Sequence, residues 1–137
     1  MIDTAAASRD DLRYAVSRRS GGIRIGQSIR CARTSAERRR GLLGCDRLRS
    51  GEGLWIIPCE AIHTFGMRFV IDVVYLDRAF RVSKTVACLK PWRVSAALSA
   101  HSVLEVPAGS IARAGIQVGD YLDFDPQPVF RGAGDAV

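Results

Sequence analysis

At 137 residues with a formal net charge of +6, 47% hydrophobic and 25% charged side chains, the chain is of single-domain size and buries enough surface for one core. No apolar run reaches the roughly 20 residues that a membrane-spanning helix needs. The opening MIDTAAASRDD, with Asp3, has no apolar core of a secretory signal, so a cytoplasmic location is expected.

Residues 1–10 and 126–137 carry no periodic apolar pattern and are expected to be a frayed N-terminus and a flexible tail, leaving 11–125 as the folded domain. Residues 12–17 and 22–30 alternate apolar and polar side chains around Ser20-Gly21-Gly22, the pattern of two antiparallel strands joined at a glycine turn. Ile23, Ile25 and Ile29 would share a buried face, and Gly26 would mark a bulge. Thr34 and Glu37 have the spacing of a capping box, which predicts a helix to about Leu43 with Gly44 as its stop. Arg38, Arg39 and Arg40 on consecutive positions then form a solvated face.

Leu54-Trp55-Ile56-Ile57, closed by Pro58, suits a buried strand with Trp55 in the core. IDVVYLD and FRVSKTVACL predict a hairpin whose turn is opened by the Asp77 side chain. After Lys90-Pro91-Trp92 come the strand VLEV, a helical turn at Ser110–Ala114 stopped by Gly115, and a reversal at Gly119-Asp120 into YLDF. The expected fold class is α+β: a mainly antiparallel, partly barrel-like β-sheet with one or two short covering helices.

Four stretches in this order, TSAERRRGLLG, IDVVYLD, VLEVPAG and GIQVGD, resemble the domain-of-unknown-function family 192 over about residues 29–124. The resemblance implies a fold family whose biochemical activity is unassigned. Members of the wider family carry a tryptophan-methionine-lysine-asparagine-threonine run shortly before a proline-leucine-aspartate. Aligned on Asp72, this chain has His63 and Thr64 for tryptophan and methionine, Gly66 and Met67 for asparagine and threonine, and Val70 for proline. Its IHTFGMRF segment therefore marks a divergent branch, and roles tied to that run do not transfer.

Cys31, Cys45, Cys59 and Cys88 include no C-x-x-C pair, so neither a metal knuckle nor a dithiol motif is indicated. Reduced, small, buried thiols are expected. Residues 1–50 hold 12 arginines against 5 acidic side chains, while residues 51–137 hold 8 basic and 9 acidic ones. Such polarity attracts phosphates, yet 18 of the 20 basic residues are arginine and no aromatics interleave with them as a stacking platform requires. Nucleic acid is accordingly not an expected partner, and no cofactor, metal or membrane span is expected.

Cys59 and His63 are the one thiol and imidazole close in sequence, but a cysteine nucleophile also needs an orienting third group. Asp72 and Glu105 stand inside otherwise apolar strands, where a carboxylate is costly unless satisfied. The residues leave three readings open: a structural ion pair with Arg68 or Arg93, a polar pocket for a ligand, or general acid and base carboxylates. Trp92 lies in a loop where an aromatic caps a cleft or the edge of a core. The functional expectation is a non-enzymatic binding or accessory domain with a cleft near His63, Met67, Asp72, Trp92 and Glu105, facing a small molecule or a protein partner. The alternative is a small hydrolase or transferase using Cys59 with His63, or the two carboxylates. Oligomeric state is not legible.

Overall fold

The apolar runs and glycine turns fold into nine strands in the computed structural model, which describes residues 12–128. Seven of them, β1 (Arg13–Arg18), β2 (Arg24–Ala32), β3 (Glu52–Ile56), β5 (Ile71–Leu76), β6 (Val82–Leu89), β8 (Ser102–Pro107) and β9 (Leu122–Gln127), form one sheet in the order β6-β5-β8-β3-β2-β1-β9. Only β2 and β3 run parallel; the other five neighbouring pairs are antiparallel. A separate pair, β4 (Ala61–His63) and β7 (Val94–Ala96), lies antiparallel beside it. The α+β, mainly antiparallel architecture is thus as expected, with two short helices, α1 (Ser35–Arg40) and α2 (Ser110–Ala114).

The sheet is open but strongly curled. Its two edge strands meet only at their first residues, where Arg81 bridges Tyr121, Val82 N–H donates to Asp120 and Leu122 N–H donates to Phe80. The inner face holds one apolar cluster contributed by all seven strands, including Val16, Ile29, Trp55, Val74, Leu104 and Leu122, and is plugged by Ala114 of α2 and Ile116. Trp55 stacks on Phe124 at 4.1 Å and meets the Tyr14 and Phe80 rings edge-on, a geometry that suits the aromatic quadrupole.

The outer face carries a second cluster of Leu54, Ile56, Ile71, Val73, Tyr75 and Val103, covered by Leu42, Ile62 and Met67. Strand β5 is buried along its whole length because both of its faces are covered.

Several local expectations shift. The α1 capping box forms as predicted, with Glu37 N–H on Thr34 Oγ1 at 3.1 Å and Thr34 N–H on Glu37 Oε1 at 3.3 Å. The helix nevertheless ends at Arg40, not Leu43, because Gly41 takes a φ of 49° and turns the chain so that Leu42 drops into the outer cluster. Ile25 and Ile29 are buried, whereas Ile23 is exposed. Asp77 Oδ1 accepts from Ala79 and Arg81 N–H, closing the β5–β6 turn with Phe80 at a φ of 62°. Strand β9 extends to Gln127, past the boundary expected at 125. Pro126 pairs with Tyr14 there, which an edge strand tolerates because one side of its ladder is unpaired. The short strand β7 was not anticipated. The expected frayed ends fall almost wholly outside the described residues.

Candidate functional site

Helix α1 with residues 41–43, the end of β3, the segment from Pro58 to His63, residues 100–101 before β8 and Glu105 within it line a cleft of about 790 Å³ on the outer face of the sheet. Its lining includes Arg38, Ile56, Cys59, His63, Met67 and Glu105. The capping box fixes where α1 starts, and Gly41 ends it so that Arg38 is held against Pro58. The pairing of β4 with β7, Ile62 opposite Ser95, holds the His63 segment over the sheet.

Glu105 lies at the base. It stands opposite Leu54 of β3 and Val73 of β5, and both of these neighbours are apolar members of the outer cluster. Its residue is 4% exposed, and Oε2 is buried with no hydrogen-bond partner among the described residues. Desolvation alone pushes its carboxyl up to about 7, because burial penalises the charged form. A neutral carboxyl keeps an O–H donor to offer.

Cys59 lies beside it. Its Sγ donates to Ala61 C=O at 3.2 Å, and burial raises the thiol, with Glu105 raising it further and Arg38 opposing. A raised, hydrogen-bonded thiol is the opposite of an activated nucleophile. The His63 imidazole bonds within its own segment: Nδ1 accepts from Phe65 N–H at 3.3 Å, and the ring lies 5.0 Å from that of Phe65. Tyr75, on the same face, bonds Ser95 Oγ at 2.8 Å, and burial raises its phenol. Two further cleft residues, Arg38 and His101, carried no sequence signal. The three consecutive arginines predict a solvated face, but Arg38 is half-buried, with Nε buried and Nη1 donating to Pro58 C=O at 3.2 Å.

The structure brings together His63, Met67, Glu105 and Cys59 around one cleft but separates Asp72 and Trp92 from it. Asp72 pairs with Val106, one residue out of step with Glu105, and so projects to the inner face. There it is satisfied by the backbone: Oδ1 accepts from Cys88 N–H at 2.9 Å, and Oδ2 accepts from Gly109 N–H at 3.1 Å and Ile111 N–H at 2.9 Å. No shared face for Asp72 and Glu105 exists, and neither expected counter-ion reaches them. Arg68 pairs with Asp46 at 2.7 Å, and Arg93 bonds Trp92 C=O. Trp92, 66% exposed, stacks on Phe65 with centroids 5.9 Å apart.

All four cysteines are free, but none is fully buried as expected: Cys31, Cys45 and Cys59 are half-buried and Cys88 is exposed. Among the described residues no group of three or more His, Cys, Asp or Glu side chains is gathered closely enough to hold a metal ion, and no helix is long and apolar enough to cross a membrane.

Two solved structures share this architecture. A protein of unknown function from Novosphingobium aromaticivorans is 26% identical, with 80% of this chain and 82% of that one covered and a TM-score of 0.70. A candidate transcription regulator from Sinorhizobium meliloti is 18% identical, with 82% of this chain and 92% of that one covered and a TM-score of 0.72; at that identity the likeness shows the fold alone. No curated protein matches the sequence. The model of the domain-of-unknown-function family 192, described as "Uncharacterized ACR", matches residues 16–124, most of the folded unit described above, and the chain belongs to that family.

Proposed function

We propose that this domain is a binding module whose outer-face cleft, formed around Glu105 with His63, Met67 and Cys59, takes a small molecule. The observation that carries the reading is the carboxyl of Glu105, buried at the base of the cleft with one oxygen unpartnered. An unmet buried polar group costs stability, and a ligand that supplies the missing partner offsets that cost. The cleft volume of about 790 Å³ falls in the range typical of small-molecule sites. Asp72 and Trp92 fall outside this proposed site, the first as a backbone anchor and the second as a surface aromatic. A cysteine-dependent reaction receives no support, since the Cys59 thiol is raised and bonded to Ala61.

The test is a thermal-shift screen of a broad metabolite panel against the native protein and Ala61→Phe, which places a ring at an exposed position lining the cleft. Compounds that raise Tm in the native protein are expected to lose their effect in the variant. A silent panel, or shifts that persist in Ala61→Phe, would refute the reading.

A further inference from the structure

Resting on that binding reading, we infer that the cleft selects a small organic anion carrying a second hydrogen-bond acceptor set apart from its charge. Two buried polar atoms of cleft residues lack a partner among the described residues: Arg38 Nε and Glu105 Oε2. The other nitrogens of Arg38 are engaged, Nη1 with Pro58 C=O at 3.2 Å and Nη2 with Ser35 Oγ at 3.5 Å. That leaves Nε as a fixed donor on a permanent cation, a group that favours an anionic oxygen.

Glu105 makes a different demand. Its neighbours are apolar and burial pushes its carboxyl up to about 7, so at and below neutral pH a protonated form is populated whose O–H needs an acceptor. Arg38 stands on α1 and is held at Pro58, whereas Glu105 stands on β8 opposite Leu54 and Val73, so the two demands come from different walls of the cleft. The ligand must span from anion to acceptor across an apolar body, facing Leu42, Ile56 and Met67. Arg39 and Arg40 at the same cleft add positive potential that favours an anion over a cation.

Three probes of one chain length separate these demands in amide NMR titrations of the whole protein: 6-oxoheptanoate has both groups, heptanoate lacks the ketone, and heptan-2-one lacks the charge. We expect 6-oxoheptanoate to give saturable shifts at cleft amides such as Glu60, Ala61 and His63, with each of the others at least about fivefold weaker, the size of one lost hydrogen bond. In Arg38→Gln the preference over heptan-2-one should fall to within about twofold, and in Glu105→Leu the preference over heptanoate should do the same. Glu105→Gln, whose amide keeps a donor, should retain it.

Equal affinities for the three probes in the native protein, no saturable cleft shift from any of them, or preferences that survive both deletions overturn the inference. Because the probe series in the native protein is decisive alone, a variant that fails to fold does not rescue it. If the probes fail while the metabolite panel returns a neutral or cationic ligand blocked by Ala61→Phe, the anion class falls and the binding module stands. A silent panel removes both.

Discussion

Asp72 and Glu105 sit on neighbouring strands one register step apart, Asp72 opposite Val106 and Glu105 opposite Val73, and this single step sends their carboxyl groups to opposite faces of the sheet. One is saturated by three backbone N–H groups, while the other retains an oxygen without a partner. Two acidic residues that look equivalent in apolar strands therefore have different chemistry.

Asp72→Ala should destabilise the fold by about 3 kcal/mol or more, because it strips the acceptor from the amides of Cys88, Gly109 and Ile111 and leaves buried donors unmet. Urea denaturation checks the loss. Ligand affinity of the folded fraction should be unchanged, since the side chain faces away from the cleft.

Glu105 predicts a pH dependence. Its carboxyl is pushed from an ordinary 4.5 up to about 7, so between these values the native state binds more protons than the unfolded chain. The stability it contributes is complete below about 4.5 and is lost as pH rises through about 7, a loss on the order of 3 kcal/mol. Urea midpoints at steps from pH 5 to 8 should fall in the native protein, and Glu105→Gln should flatten that part of the slope. An identical slope in the variant contradicts the assignment.

Alkylation rates distinguish the thiols. Exposed Cys88 should react first with iodoacetamide at neutral pH, and Cys59, raised by burial and bonded to Ala61, should react more slowly than free cysteine. Peptide mass mapping over a time course reads both. Faster reaction at Cys59 would revive a nucleophilic role.

Gly53→Ala should cost about 2 kcal/mol or more. An added Cβ would approach the Glu105 backbone oxygen and Ile29 Cδ1 at 2.7 Å each, and a backbone oxygen in a sheet ladder does not yield cheaply. The comparison is Thr34→Ala, which removes one member of the α1 capping box and should cost only about 1 kcal/mol. Thermal unfolding of both variants orders them.

What the sequence determined by itself was local and periodic. Thr34 with Glu37 marked the start of α1, Asp77 closed its turn, Gly115 stopped α2, and the apolar runs located β1, β2, β3, β5, β6, β8 and β9. Such features depend on residues within a few positions of each other, and the four family-like stretches pointed to the fold family. The site depended on pairing at a distance. Period-two alternation reveals a face only where one side of a strand is wet, and β5 is buried throughout, so the face taken by Asp72 is decided by its register with β8. Arg38 likewise looked solvated until the early stop at Gly41 and the hydrogen bond to Pro58 placed it against the cleft.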